Sequence, residues 1–206
     1  MLSSPSAFIS VARQPAFRAI VGLGVSQVIG WGTTFSSLPI FGSHIAHDLG
    51  IAREWAFGGI ALTLLVAALV APSTGRRIDR MGARGTMVVG SFIAAVALLM
   101  LGHSWNLYSY LVGWAVLGIA TPMMLMNAAM PGLVQVVGPN ARQAITSLML
   151  ISGLTSTVFL PINAWLYSHV GWQGAYIVFA FVHVLFCAPL HWLVLRIPPA
   201  GSVAPQ

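Results

Sequence analysis

The stretch Gly75-Arg76-Arg77-Ile78-Asp79-Arg80-Met81-Gly82-Ala83-Arg84 lies between two apolar segments and is the most highly charged part of the protein. Beyond it, no Asp, Glu, Lys or Arg occurs between Arg84 and Arg142, and none occurs between Arg142 and Arg196. A helix needs roughly 20 apolar residues to cross a bilayer. Each uncharged interval is therefore long enough for two crossings joined by a short turn.

The composition is typical of a protein embedded in lipid. Of 206 residues, 58% are hydrophobic and 6% are charged, whereas about a quarter of the residues of a soluble domain are charged. The net charge of +6 comes from nine basic residues scattered among apolar runs, which are too few to form a phosphate-binding face. The sequence therefore predicts the lipid bilayer as a partner and excludes nucleic acid.

Charges, Gly/Pro pairs and polar clusters divide the chain into six predicted transmembrane helices. Helices are required because lipid offers no hydrogen-bond partner to an exposed backbone. The fold class is thus an all-α membrane protein, with residues 18–195 as the transmembrane domain, residues 1–17 before it and a tail at 196–206. We predict turns at residues 44–54, 75–85, 102–106, 131–141 and 168–171, and helices at residues 18–42, 55–74, 86–102, 106–130, 142–167 and 172–195.

The arginines predict the orientation in the membrane. With six crossings both termini lie on one side, and that side carries eight basic residues while only Arg53 lies opposite. Because basic loops stay in the cytoplasm, we expect both termini to be cytoplasmic in a multi-pass protein of the plasma (inner) membrane. The eight residues are Arg13, Arg18, Arg76, Arg77, Arg80, Arg84, Arg142 and Arg196.

The 75–84 stretch resembles the loop motif of the major facilitator superfamily, in which Gly precedes Asp-Arg and then Gly and a basic residue. Arg77 and Ala83 depart from the motif, because the first is usually apolar and the second often basic. Asp79 is one of only three acidic residues and is not needed for orientation. The matching positions are Gly75, Asp79, Arg80, Gly82 and Arg84.

The resemblance covers residues 18–195, and it implies the amino-terminal six-helix half of a transporter, built from two inverted three-helix repeats. Residues 30–50 and 171–176 are similar to the monocarboxylate and organic-anion branch of the family. The motif implies that Asp79 and its arginines latch the cytoplasmic side against the other half in one transport state. Alternatively, the arginines serve only to orient the protein.

Polar side chains within the predicted helices are candidates to line a substrate cavity, because such groups are costly when they face lipid. They form stripes on the first, fourth and fifth helices, the last including Ser152. The alternative is that these small residues serve close helix packing. The candidates are Gln27, Thr34, Ser37, Asn127, Thr155, Ser156 and Asn163.

No catalytic constellation or metal-ligand spacing occurs, and the lone Cys187 lies in an apolar run, so we predict a protein that is not an enzyme and has no cofactor. A haem protein with paired membrane histidines is a remote alternative, since only His183 falls in the middle of a predicted helix.

These patterns together predict a transporter that moves a small solute, such as an organic anion, by alternating access. Transporters of this family have two six-helix halves, so we expect a second half in trans, supplied by a homodimer or a different chain. The alternatives are a truncated, non-transporting fragment and a membrane interaction protein that keeps only the fold.

Overall fold

The computed structural model describes residues 15–138 and 141–195, and in these residues the chain is helical with no strand. The predicted tail and most of the predicted amino-terminal segment lie outside this range. A π-helix, His183–Cys187, precedes the last helix. The α-helices are α1 (Pro15–Thr34), α2 (Leu38–Asp48), α3 (Arg53–Met81), α4 (Ala83–Gly102), α5 (Leu107–Met124), α6 (Met126–Val137), α7 (Ala141–Gly153), α8 (Thr155–Val182) and α9 (Ala188–Val194).

Four helical stretches in the described residues are long and apolar enough to cross a membrane. They comprise α3, α4, the pair α5 and α6, and the run from α7 to α9. This supports an all-helical, multi-pass membrane protein, while the number of six crossings stays a prediction. The stretches are Arg53–Met81, Ala83–Gly102, Leu107–Val137 and Ala141–Val194.

The last of these stretches reverses its direction at Gly171. Its φ of 69° and ψ of 178° are not helical, and a positive φ of this kind is readily available only to glycine. The rings of Phe159 and Phe179 lie 6.3 Å apart, whereas a continuous helix would separate these residues by about 30 Å. The two parts of α8 therefore pack antiparallel.

The charged 75–84 stretch is mostly helical, so the predicted turn at residues 75–85 was wrong. Helix α3 continues to Met81, and only Gly82, with a φ of 81°, separates it from α4. An arginine-rich sequence is compatible with a helix that extends beyond the lipid, so charge marked the end of the apolar segment and not the end of the helix. Helices α2 and α6 also continue beyond their predicted ends, to Asp48 and Val137.

Three of the predicted helices are interrupted. Residues 35–37 separate α1 from α2, Leu125 separates α5 from α6, and Leu154 separates α7 from α8. Proline contributes at the first break, because Pro39 stands in the first turn of α2, where its missing N–H has no helical partner to lose.

Trp114 of α5 is the largest fully buried side chain in the described residues and belongs to the larger of two buried apolar clusters. Trp114 is fully buried, and its ring meets Tyr110 edge-on at 6.0 Å. A Cβ atom built on Gly59 of α3 would lie 2.5 Å from the indole, so the absence of a side chain at Gly59 lets α3 and α5 approach closely. The Thr63 hydroxyl also donates a hydrogen bond to the Trp114 carbonyl at 2.8 Å.

Candidate substrate cavity

The three helix breaks converge on one partly open cavity of about 630 Å³. Phe35 and Ser36 line it from the first break, Met126 from the start of α6, and Gly153 and Thr155 from either side of the third break. Irregular backbone at membrane depth is tolerated where it is buried in protein or lines a cavity. The breaks therefore mark this cavity as the candidate site. The other lining residues are Trp31, Pro39, Ser152, Ser156 and Leu160.

The cavity wall is apolar with a few hydroxyl groups and no charged side chain. The Ser152 hydroxyl donates to the Leu148 carbonyl at 2.8 Å, and the Thr155 hydroxyl donates to the Ser152 carbonyl at 2.6 Å. Each hydroxyl oxygen keeps lone pairs that can accept from a solute. Trp31 and Phe35, whose rings are 4.9 Å apart, add an aromatic surface.

Thr155 and Ser156 are the two predicted substrate residues that line this cavity. Thr34 and Ser37 lie in the same region of the chain but are fully buried. The Thr34 hydroxyl donates to the Gly30 carbonyl at 2.6 Å, and the Ser37 hydroxyl donates to the Thr34 carbonyl at 3.2 Å. Both residues are therefore buried beside the first break and are not among the residues that line the cavity. The remaining predicted residue of the fourth helix, Asn127, is exposed and is not among the lining residues.

The two buried amides, Gln27 and Asn163, support the cavity instead of lining it. Both are fully buried. Gln27 Nε2 donates to the Met124 carbonyl at 3.1 Å, which is one of the carbonyls that a helix end leaves without an intrahelical partner. Asn163 Nδ2 donates to the Gly32 carbonyl at 3.5 Å. Gln27 thereby ties α1 to the break between α5 and α6.

Most of the lining residues were not among the predicted substrate residues. Ser152 belonged to a polar stripe, but Trp31, Phe35, Ser36 and Met126 carry no polar periodicity. The available signal was the sequence from Phe35 to Pro39, because two serines with a proline two residues after them are typical of a helix start.

The predicted gating residues divide into an anchored group and an exposed group. Arg84 Nε donates to the Trp192 carbonyl at 2.9 Å, and the N–H of Ala83, which is not a predicted gating residue but lies between Gly82 and Arg84, donates to Gln135 Oε1 at 3.1 Å. The Arg84 guanidinium carbon also lies 3.5 Å from the centre of the Trp192 ring, which is cation–π geometry. Gly82 provides the positive φ between α3 and α4.

Asp79 and Arg80 belong to the exposed group, and Gly75 is half-buried. In the described residues Asp79 forms no ion pair, since the one salt bridge there joins His47 and Asp48. Among the described residues, no hydrogen bond joins Asp79 to the neighbouring arginines. The gating role of Asp79 stays a prediction.

A polar contact closes the opposite end of the bundle, between α2 and α8. Trp172 Nε1 donates to Asp48 Oδ2 at 2.8 Å, and His47 Nδ1 lies 3.1 Å from Asp48 Oδ1. The hydrogen bond from Trp172, and then that from His47, lower the pKa of Asp48 below its usual 3.8. The carboxylate is the form that this contact favours.

Replacing the hydrogen-bond donor at this contact is expected to have a pH-dependent effect. A pKa that is lowered by folding stabilises the protein above the unfolded pKa, and the stabilisation disappears as pH falls through the folded pKa. Trp172→Phe should therefore lower the free energy of unfolding by about 1 kcal/mol at neutral pH, a small value because Asp48 is exposed. The loss should shrink below about pH 4. Detergent unfolding followed by circular dichroism measures it.

Asp48→Asn is the matched control, because it keeps an acceptor for the indole and removes the charge. In that background the effect of Trp172→Phe should no longer depend on pH. A pH dependence that persists in the double variant would contradict the assignment to Asp48.

Comparison with known proteins identifies the family. The profile of the Major Facilitator Superfamily matches residues 23–206. The curated protein "Transcription regulatory protein OpdE" of Pseudomonas aeruginosa is 29% identical over 168 residues, which cover 78% of this chain and 40% of that protein. The chain thus spans about two fifths of the length of that relative. From the profile match over most of its length, the chain belongs to the Major Facilitator Superfamily.

Proposed function

We propose that the chain forms one six-helix half of a secondary transporter, which moves a small solute across the membrane by alternating access. The observation that carries this proposal is the cavity built where three helices break, in a chain of a family whose members are generally transporters. Discontinuous helices whose broken ends face a central site are a recurring device of secondary transporters.

Six crossings follow if each broken pair counts as one. In this scheme α1 and α2 form the first crossing, α5 and α6 the fourth, and α7 with α8 up to Val170 the fifth. The reversal at Gly171 supports the scheme, because it makes the remainder of α8, the π-helix and α9 a separate crossing. The arginine distribution then favours an inner membrane protein with both termini in the cytoplasm.

The second half of the transporter is proposed to be supplied in trans by another copy or by a different chain. The cavity is partly open. Among the described residues, its wall is formed by α1, α2, α6, α7, α8 and the breaks between them. Asp79 and Arg80 are exposed on the charged end of α3, where they are available to a second half. By resemblance to the family motif, they form the cytoplasmic latch.

An organic anion is the proposed class of solute, on the weak likeness to the organic-anion branch. Trp31 and Phe35 suit an apolar body, and the hydroxyl groups of Ser152, Thr155 and Ser156 can rotate to donate to its carboxylate oxygens. None of the lining residues is cationic. The proposal therefore requires that the compensating positive charge come from the second half.

A second candidate function is regulation from within the membrane, in line with the membrane interaction protein that the sequence also allows. It is favoured by the similarity to a protein named as a transcription regulatory protein. A regulator would need the fold and its exposed surfaces but would not need a cavity that admits a solute.

Uptake of radiolabelled benzoate by proteoliposomes containing the purified chain tests the transporter proposal. We expect saturable uptake, with the second half supplied by another copy. Ser156→Trp should lower uptake about tenfold, equivalent to about 1.4 kcal/mol, because the indole would occupy the cavity. Ser168→Trp is the control, since Ser168 is an exposed serine of the same helix away from the cavity. Equal uptake by wild type and Ser156→Trp would contradict this site.

A further inference from the structure

Two buried histidines contact hydroxyl groups where the π-helix and α9 pack against α1 and α4, outside the cavity. His183 is 1% exposed and His191 is 2% exposed. Their partners are three hydroxyl groups, those of Ser26, Thr33 and Ser91. Polar groups in the apolar interior of a membrane protein are costly and usually functional. The proposed transport cavity uses none of these five residues.

The π-helix brings both histidines to the same face, toward α1. His183 Nε2 lies 2.9 Å from Thr33 Oγ1, and His191 Nε2 lies 2.9 Å from Ser26 Oγ. Thr33 and Ser26 are seven residues apart, which is close to two α-helical turns, but the histidines are eight residues apart. The Ala188 N–H donates to the carbonyl of His183, five residues earlier, whereas an α-helix uses a spacing of four. This wider turn accommodates the additional residue between the histidines. Such π-bulges are rare and often occur at functional sites.

His191 has a hydroxyl partner on each ring nitrogen. Nε2 faces Ser26 Oγ at 2.9 Å, and Nδ1 faces Ser91 Oγ at 3.0 Å. Each hydroxyl also has a carbonyl acceptor on its own helix, the Leu23 carbonyl at 3.0 Å and the Met87 carbonyl at 3.0 Å. This arrangement holds the imidazole between two groups that can either donate or accept.

The same atoms satisfy two protonation states of the ring without a movement of the backbone. When both serine hydroxyls donate to their carbonyls, both ring nitrogens must donate, so the ring carries two protons and a positive charge. When one hydroxyl rotates and donates to the ring, the ring is neutral. A carbonyl that loses the serine still has its helical N–H partner. Only hydroxyl rotation separates the two states.

We propose that His191 is a proton-binding site within the interface of α1, α4 and α9. No Asp or Glu occurs in these helices, the π-helix or α6 within the described residues, so the hydroxyl and carbonyl dipoles are the groups that stabilise the added charge. The titratable groups on the packed elements are Arg18 of α1, Arg84 of α4, and His183 and Cys187 of the π-helix. The inference does not depend on which solute the cavity binds.

His183 differs from His191 in a way that provides an internal comparison. The Thr33 hydroxyl lies 2.9 Å from His183 Nε2 and donates to the Ile29 carbonyl, also at 2.9 Å. In contrast, His183 Nδ1 has no hydrogen-bond partner among the described residues. A proton added at Nδ1 would have no acceptor. His183 therefore stays neutral while His191 takes up the proton.

The proton reaches His191 from the charged end of the bundle. The next residue, Trp192, contacts Arg84 through both its carbonyl and its ring. Arg84 stands in the first turn of α4 and α9 ends at Val194, so His191 lies about one turn from the end of α9 and Ser91 about two turns from the start of α4.

Nitrogen NMR of ¹⁵N-histidine-labelled protein in lipid nanodiscs tests the proposal. The exposed His44, His47, His103 and His169 are replaced by Gln, so that only the two buried histidines give signals. Between about pH 8 and about pH 3, a range that includes the ordinary histidine pKa of about 6.5 and extends well below it, we expect one ring to change reversibly from one N–H to two. The other ring should keep one.

Two hydroxyl variants assign the titrating ring even if removal of a histidine prevents folding. Ser91→Ala should lower its midpoint by about one pH unit, because the charged ring then loses an acceptor. Thr33→Ala should leave the midpoint unchanged. The proposal would be overturned if both rings kept a single proton across this range, or if the midpoint moved with Thr33→Ala and not with Ser91→Ala.

Discussion

Trp114→Ala is expected to lower the free energy of unfolding by about 3 kcal/mol, which is more than a hundredfold in the equilibrium constant. The indole is fully buried and occupies the space left by Gly59 on the facing helix. Because Gly59 has no side chain that could relax into the vacated volume, a cavity would remain. Packing contacts matter most in a bilayer, where lipid is as apolar as the helix surface. Unfolding in mixed detergent micelles, followed by circular dichroism, measures the loss.

Trp105→Ala is the matched control for this variant. Trp105 is 76% exposed beside the turn between α4 and α5, so its removal should change stability by only a few tenths of a kcal/mol. Similar losses from the two variants would show that tryptophan anchoring at the membrane surface matters more than the packing of α3 on α5.

The sequence was sufficient to predict the helical class and the family, because both depend on local signals. The length of an apolar segment predicts a membrane helix independently of the helices that pack against it. The family motif is likewise read from the sequence alone, at Asp79, Arg80 and Gly82. The profile match confirms the family. Helix ends were harder to predict, since the loss of hydropathy after Thr74 marked the end of the apolar segment while α3 continued to Met81.

The candidate site was predicted less well, because it depends on tertiary contacts. Polar periodicity selected Thr155 and Ser156, which line the cavity, but also Gln27 and Asn163, which bond to backbone carbonyls of other segments. The pairing of Gln27 with Met124 spans 97 residues of sequence, and no local pattern reports it. The π-helix that aligns His183 and His191 was equally invisible, since its sequence is an ordinary apolar run.

The second large effect is expected at the contact of α4 with α5, where Gly90 faces Met123. A Cβ atom at position 90 would lie 2.7 Å from the Met123 Cβ, 3.0 Å from its carbonyl carbon and 3.1 Å from its carbonyl oxygen. These atoms belong to the main chain or adjoin it, so rotation of the Met123 side chain cannot relieve the overlap. Gly90→Val should therefore lower the free energy of unfolding by about 2 kcal/mol, as in other overpacked interiors.

Gly85→Val is the control, because Gly85 lies in the same helix and a Cβ atom there would meet nothing within 4 Å. This control separates steric overlap from helix propensity, which favours Val over Gly by a few tenths of a kcal/mol at both positions. The two losses are compared by detergent unfolding. Gly90→Val should also reduce benzoate uptake in the folded fraction. Met123 directly precedes Met124, whose carbonyl accepts a hydrogen bond from Gln27. A shift of this segment would therefore move Met126, which lies just beyond the helix break and lines the cavity. Equal stability of the two variants would contradict the close approach of α4 and α5.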